Sequence, residues 1–181
     1  KYAQQTYALN FGELPHGDIT KVTNEQIPSH DCLCAGFPCQ AFSISGKQGG
    51  FNDIRGTIFF EIVRIVESKK PKVIFLENVK NLKTHDSGNT LLMIKNVIGN
   101  LGYSFHSKIL NSSFFGIPQH RERLYIVCIR NDICIKKFEF PNPTFEDVNL
   151  KDILENDLDI ENYEINRLDI SLKGNRITEN I

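Results

Sequence analysis

The sequence predicts an α/β fold with a mostly parallel β-sheet. Short apolar runs typical of buried strands alternate with longer segments in which apolar residues recur at helical spacing. Strand, helix, strand, helix and strand follow one another between residues 30 and 110, which is the order that builds a parallel sheet covered by helices. The chain has 181 residues, of which 40% are hydrophobic and 24% are charged, a composition that suits one domain with a core.

The first elements follow from their boundaries. Tyr2–Phe11 is expected to be a helix, since a glycine follows it. His30–Phe37 alternates and is rich in small apolar residues, so we expect a strand that ends before Pro38. Thr57–Ser68 has apolar residues at helical spacing and predicts a buried helix, which Pro71 stops.

The remaining elements are equally well bounded. Lys72–Leu76 is an apolar run and predicts a second strand. Asn89–Leu101 is amphipathic and is closed by Gly102, as expected of a helix. Tyr103–Leu110 and Leu124–Arg130 predict two further strands.

Two segments lack an apolar period. Residues 39–56 contain four glycines, and such a long loop inside a compact domain is usually functional. After Pro141 and Pro143 the composition shifts to Asp, Glu and Asn. We therefore expect a folded domain over residues 1–145 and an acidic linker over residues 146–181.

The charge of −1 is unevenly divided. Residues 39–130 carry 13 Lys and Arg against 6 Asp and Glu, a net charge of +7. A basic middle segment suits contacts with phosphates, although a solvated face with lysines at helix ends would have the same composition. No apolar run approaches the roughly 18 residues that span a bilayer.

The five cysteines are an odd number and contain no C-x-x-C motif, which favours a reduced, cytoplasmic protein. Cys32 and Cys34 share a face of a predicted strand, and Cys128 also lies in an apolar run, so buried free thiols are expected. A zinc site made by His30, Cys32, Cys34 and Cys39 is the alternative. We expect no metal ion.

Three polar clusters each stand beside a strand terminus. Cys39 follows the first predicted strand, Glu77 and Asn78 follow the second, and the run from Gln119 to Arg123 directly precedes the last. A cysteine in a polar context is a candidate nucleophile. A nucleophile, a carboxyl group and two guanidinium groups at strand termini indicate an active site laid across the sheet.

These clusters resemble the signature motifs of the cytosine-5 DNA methyltransferases. The chain has Phe-Pro-Cys-Gln at residues 37–40, Glu-Asn-Val at 77–79 and Gln-x-Arg-x-Arg at 119–123, in the family's order; Cys39 precedes Glu77 by 38 residues, and Glu77 precedes Arg123 by 46. Further likeness lies at residues 17–20, 43–48 and 55–57. The resemblance covers residues 1–145 and is nearest to bacterial restriction-modification enzymes of the HhaI class. It implies a doubly wound, mostly parallel, Rossmann-like sheet of the S-adenosylmethionine-dependent methyltransferase type, here incomplete.

The resemblance also implies catalytic roles. Cys39 would add as a thiolate to carbon 6 of cytosine, and Glu77 would hydrogen-bond or protonate N3 from a dry pocket. Asn78 would orient the loop that carries the thiol, or serve only as a turn residue. Arg123 would hold O2 of the base, and Arg121 would brace the loop or a phosphate. The alternatives are that Cys39 is only a buried thiol and that Glu77 is only an exposed side chain. The two arginines would then form surface ion pairs with Glu122.

The implied methyl donor is S-adenosylmethionine. Asp18 would accept a hydrogen bond from the adenine amine, Ile19 would pack on the ring, and Pro38 and Ile58 would make further contacts. A solvated turn aspartate is the alternative for Asp18. The family's glycine-rich cofactor loop and ribose-binding acid are not found in this sequence, so we expect a truncated chain, half of a split enzyme or a remnant that alone methylates nothing.

The implied substrate is a cytosine flipped out of double-stranded DNA, in a bacterial cytoplasm near the nucleoid. The candidate DNA contacts flank the catalytic residues or lie in the long loop; they are Phe37, Gln40, Ser43, Ser45, Lys47, Gln48, Arg55, Val79 and Gln119. A solvated loop would carry similar residues. Three other functions stay open: an RNA methyltransferase of the same family, an inactive remnant that binds DNA or a partner, and a Cys/His hydrolase with His120 as base. If the chain is half of a split enzyme, we expect a complementary subunit that supplies the missing segments.

Overall fold

The fold is seen in a computed structural model that describes residues 2–38, 58–134, 137–144 and 148–154. Within these residues the chain forms three α-helices and four β-strands, namely α1 (Tyr2–Phe11), β1 (Cys32–Gly36), α2 (Ile58–Lys69), β2 (Val73–Val79), α3 (Asn89–Asn100), β3 (Tyr103–Asn111) and β4 (Glu122–Arg130). Each predicted helix and strand is confirmed, with some ends shifted by a few residues.

The described strands form one open sheet in the order β1-β2-β4-β3. β1 pairs with β2 in parallel, whereas β4 is antiparallel to both β2 and β3. Three strands therefore run in one direction, and the predicted α/β class is confirmed. The reversal of β4 is an addition to the prediction. It follows from the connection over residues 112–121, which lacks the long crossover that a parallel neighbour requires.

The reversed strand brings distant segments together. In the sheet register Gly36 lies opposite Glu77, and Val79 lies opposite Arg123. The beginning of β4 therefore lies beside the carboxyl end of β2, and the carboxyl end of β1 lies on the other side of β2. Two of the three polar clusters of the sequence, Glu77 with Asn78 and residues 119–123, meet here, and Cys39 lies outside the described residues.

One face of the sheet packs against α2 and α3. The fully buried side chains of this core include Phe59 and Val66 from α2, Ile94 and Ile98 from α3, and Ile74, Leu76, Leu124 and Ile126 from the two central strands. Burial of each such side chain contributes about 1.5–3 kcal/mol. This core therefore holds the two central strands, and with them the strand ends that carry Glu77, Asn78 and Arg123.

The cysteines depart from the prediction in their burial. Cys32 and Cys34 do share a face, with their Sγ atoms 3.8 Å apart, but both are exposed because β1 is an edge strand of the described sheet. Cys128 is buried as expected, and its burial raises the pKa of the thiol to about 12. Among the described residues, no group of three or more His, Cys, Asp and Glu side chains could hold a metal ion.

None of the described helices combines the length and the apolar character that a membrane span requires. The chain divides into two compact units, Lys1–Val148 and Asn149–Ile181. In the second unit, the described part contains one short 3-10 helix, Leu150–Ile153, with a capping box made by Asn149 and Asp152.

Candidate active site

Asn78 fixes the point at which the chain leaves β1. Its side chain is 3% exposed. Nδ2 donates a hydrogen bond of 2.7 Å to the carbonyl of Phe37, and Oδ1 accepts one of 2.9 Å from the N–H of Val79. Phe37 directly precedes Pro38 and Cys39. A buried amide whose nitrogen and oxygen are both hydrogen-bonded has one orientation. Through this amide, β2 fixes the position of Phe37 and of the segment that leads to the cysteine.

Glu77 points to the opposite face of the sheet from Asn78, since side chains alternate along a strand. Its Oε1 lies 3.0 Å from Nε of Arg123. A Cβ atom built on Gly36 would lie 3.6 Å from its Oε2, so the carboxylate sits beside the end of β1. The predicted dry pocket is not formed by the described residues, because the Glu77 side chain is 40% exposed and paired with an arginine.

Arg123 reaches this carboxylate because β4 is reversed. It lies opposite Val79 on one side and Leu110 on the other. Its Nη1 donates a hydrogen bond of 2.8 Å to the carbonyl of Glu122. With its side chain 23% exposed, the guanidinium is held by an ion pair with Glu77 and a hydrogen bond to the carbonyl of Glu122.

Asn111 is a supporting residue that the sequence analysis missed. It ends β3 and is 5% exposed. Its Oδ1 accepts from the N–H groups of Ser113 (3.3 Å) and Arg121 (3.0 Å), and its Nδ2 lies 2.9 Å from Nδ1 of His120. Because the oxygen is engaged by two backbone donors, Nδ2 donates to the imidazole. A polar residue that closes an apolar strand and precedes two serines was the available signal.

The two motifs line an open cleft of about 380 Å³, with Val79, Lys80 and Asn81 on one side and residues 119–123 on the other. Lys80 pairs with Glu122, whose Oε2 lies 3.9 Å from Nε2 of His120. The hydrogen bond from Lys80, together with the charges of Lys80 and His120, lowers the pKa of Glu122. The expected alternative, in which Glu122 pairs with the arginines, is wrong: among the described residues it pairs with Lys80 and His120.

Asp18 caps a one-turn 3-10 helix, Ile19–Lys21, and follows Gly17, whose φ of +92° favours glycine. Its Oδ1 accepts from the N–H (3.1 Å) and Oγ1 (2.8 Å) of Thr20. These two hydrogen bonds lower the pKa of Asp18. The group is thus an exposed, ionised acceptor whose Oδ2 has no partner in the described part of the chain.

The other candidate cofactor residues, Pro38 and Ile58, lie where the end of β1 meets the start of α2. Ile58 is half-buried at the start of α2, and Pro38 is exposed just beyond β1. The ring of Phe37 packs against Phe59, with centroids 5.6 Å apart, so the two segments contact each other. An ionised acceptor and apolar surface are what an adenine amine and its ring require. The residues present therefore fit S-adenosylmethionine.

The candidate DNA contacts divide into three groups. Val79 is 43% exposed and Gln119 is exposed, and both line the cleft. Phe37 is 7% exposed and packs in the core, which argues against its ring as a DNA contact. Six candidates lie outside the described residues, as does Cys39, the candidate nucleophile; they are Gln40, Ser43, Ser45, Lys47, Gln48 and Arg55.

Solved structures with the same fold are methyltransferases. The chain superposes on the Entamoeba histolytica methyltransferase EhMeth with a TM-score of 0.64 and 22% identity, over 89% of this chain and 51% of that one. A Spodoptera frugiperda DNMT2 mutant gives a TM-score of 0.63 and 24% identity, over 88% of this chain and 51% of that one. At this identity the likeness establishes the fold.

The sequence comparison defines the family. The family model for C-5 cytosine-specific DNA methylases matches residues 1–180, and the chain belongs to this family. It is 56% identical over 179 residues to the Type II methyltransferase M.HhaI of Haemophilus parahaemolyticus, covering 99% of this chain and 55% of the relative. It is 52% identical over 157 residues to M.HpaII of Haemophilus parainfluenzae, covering 84% and 44%. The chain thus spans about half the length of these relatives.

Proposed function

We propose that this chain is the catalytic part of an enzyme that transfers a methyl group from S-adenosylmethionine to carbon 5 of cytosine in double-stranded DNA, within a restriction-modification system. The observation that carries the proposal is the Glu77–Arg123 ion pair at 3.0 Å, beside the hydrogen bond from Asn78 to Phe37. The complete enzyme means this chain with the segments by which its relatives are longer, supplied in one polypeptide or as a second subunit.

The ion pair is complementary to one edge of cytosine. The base presents an amine donor at N4 and acceptors at N3 and O2. A carboxyl group can accept from the amine and, when protonated, donate to N3, while a neighbouring guanidinium donates to O2. Thymine has the opposite pattern, with an N–H donor at N3 and a carbonyl acceptor on carbon 4. Glu77 and Arg123 therefore select cytosine and neutralise the charge that builds on its ring.

Cys39 is the proposed nucleophile. Its thiolate forms a bond to carbon 6, and the ring electrons move toward carbon 5, assisted by the hydrogen bond or proton that Glu77 gives to N3. S-adenosylmethionine, when bound, supplies an electrophilic methyl group. Once carbon 5 carries the methyl group, its proton passes to water, and the electrons of the C–H bond expel the thiolate from carbon 6 and restore the aromatic ring. Asn78 contributes by fixing the carbonyl two residues before the nucleophile.

Asp18 and Ile19 would hold the adenine, with Pro38 and Ile58 as neighbouring apolar contacts. The carboxylate of Asp18 is ionised at neutral pH and able to accept from the adenine amine, and its lowered pKa keeps it ionised in mild acid as well. The target base lies inside the duplex and must be flipped out to reach Glu77 and Arg123. Val79 and Gln119, together with the candidates in residues 40–55, would contact the DNA around it.

Transfer of labelled methyl groups tests the proposal. The complete enzyme is incubated with methyl-labelled S-adenosylmethionine and either duplex DNA or transfer RNA, and the labelled base is identified after hydrolysis. We expect 5-methylcytosine in the DNA. Label only in RNA would place the chain in the RNA-methylating branch. DNA binding without label in either substrate would identify a remnant, and both results would contradict the proposal.

A further inference from the structure

Arg64 lies in the middle of α2 and joins this helix to a distant segment. Its Nη2 donates to the carbonyls of Val22 (3.0 Å) and Ile19 (3.4 Å), and its Nη1 donates to Oδ1 of Asn24. These three acceptors lie 40 to 45 residues away in the chain. Nε donates to Glu61 at 2.9 Å, and this carboxylate balances the charge.

The distant segment is the turn that contains the candidate adenine-binding residues. Asp18 caps the amino end of the 3-10 helix Ile19–Lys21, and Val22 is its C-cap. The carbonyls at the end of a helical turn lack partners within the turn. Arg64 supplies a donor to one such carbonyl, that of the C-cap Val22, and a second donor to the carbonyl of Ile19, which also accepts from the N–H of Val22. The turn is therefore held at one end by Asp18 and at the other by the guanidinium.

The same helix carries another candidate cofactor contact. α2 begins at Ile58, and its Phe59 packs against Phe37 beside Pro38. One guanidinium thus fixes the turn of Asp18 and Ile19 against the helix on which Ile58 stands. The two parts of the site come from chain segments that are 40 residues apart, and their relative placement depends on contacts between them.

We propose that Arg64 is the positioning residue of the S-adenosylmethionine site, and that it keeps the turn of Asp18 and Ile19 in the conformation that binds adenine. This inference rests on the proposed function. Without the guanidinium, the Val22 carbonyl and the Asn24 side chain lose this donor, the Ile19 carbonyl keeps only the N–H of Val22, and the turn samples other conformations. Apparent affinity falls in proportion to the fraction of molecules in the competent state. At saturating cofactor that state is fully populated, so the maximal rate is retained.

The test compares three variants of the complete enzyme. Arg64→Met removes every donor but keeps an apolar stem of similar length, and Arg64→Lys keeps the charge with a different donor geometry. Arg130→Met is the matched control. Arg130 also binds a backbone carbonyl, that of Lys70, and a carboxylate, that of Asp132, but it lies at the opposite end of β4 from the active site.

The measurements are the Kd of S-adenosylmethionine by calorimetry, the KM for the cofactor, kcat at saturation, and the melting temperature. We expect Arg64→Met to raise Kd and KM together by about tenfold or more, equivalent to about one lost charge-assisted hydrogen bond, with kcat little changed. Arg64→Lys should recover part of the affinity. The control should lower the melting temperature without moving either constant.

Unchanged Kd and KM in Arg64→Met, with a melting temperature as low as that of the control, would show that Arg64 only stabilises the fold. If Arg64→Met does not fold, Asn24→Ala removes one of its acceptors and should raise the cofactor Kd in the same direction; an unchanged Kd there also overturns the inference. If the wild-type enzyme binds the cofactor but does not methylate cytosine, the proposed reaction is contradicted. The role of Arg64 in cofactor binding is then still tested by the Kd from calorimetry.

Discussion

Replacement of Asn78 with alanine is expected to lower both the stability and the reactivity of the complete enzyme. The 3% exposed amide donates to the Phe37 carbonyl at 2.7 Å and accepts from the Val79 N–H at 2.9 Å. Val79 is 43% exposed, so water can reach its N–H, whereas Phe37 is 7% exposed. One buried acceptor therefore loses its partner, which costs about 1–3 kcal/mol of unfolding free energy.

The assay combines urea unfolding with single-turnover methyl transfer at a temperature where the variant is fully folded. Because the segment leading to Cys39 loses its fixed point, we expect the rate to fall by about tenfold or more beyond any loss of folded protein. Asn96→Ala, on the exposed side of α3, is the matched control and should change stability by less than about 0.5 kcal/mol. An Asn78→Ala variant with the stability and rate of this control would refute the reasoning.

Three further outcomes are expected. Glu77→Gln should slow single-turnover methylation by roughly 10²–10⁴-fold, the usual contribution of a positioned acid or base, while DNA affinity measured by anisotropy persists; an unchanged rate would leave Glu77 a structural role. The pKa of Asp18 is lowered, so its carboxylate stays ionised as the pH falls through the ordinary aspartate range. Cofactor affinity should therefore hold from neutral pH to about pH 4 and be lost only below the lowered pKa. Calorimetry that shows a loss of affinity near pH 6 would contradict this. Cys128, buried with a pKa of about 12, should resist alkylation at pH values near 8 in native protein while exposed Cys134 reacts, and equal labelling of both by mass spectrometry would show that Cys128 is accessible.

Local pattern was enough to predict the elements and part of the site. The apolar spacing in α2 and the apolar run of β2 each lie within a dozen residues, so periodicity identifies them. Glu77 and Asn78 directly follow such a run, which places them at a strand end without knowledge of the rest of the fold. The alternation of a strand then puts their side chains on opposite faces.

What the sequence did not predict depends on pairing between distant residues. The reversal of β4 is a property of the whole sheet, and the contact between Glu77 and Arg123 follows from it. Arg64 resembles any helical arginine, although its acceptors lie in another segment. The exposure of Cys32 likewise depends on which elements cover β1, and strand periodicity indicates only which residues share a face.

Formation of a covalent adduct at Cys39 tests the central claim most directly. Duplex DNA in which 5-fluorocytosine replaces cytosine is incubated with the complete enzyme and S-adenosylmethionine. After methyl transfer the atom on carbon 5 must leave before the thiolate can be expelled, and fluorine cannot leave as a cation. We predict a denaturant-resistant adduct that peptide mapping assigns to Cys39. Cys39→Ser should bind the DNA and form none, because its hydroxyl is far less ionised than a thiol. No adduct with an enzyme that methylates ordinary DNA, or an equal adduct with Cys39→Ser, would contradict the account.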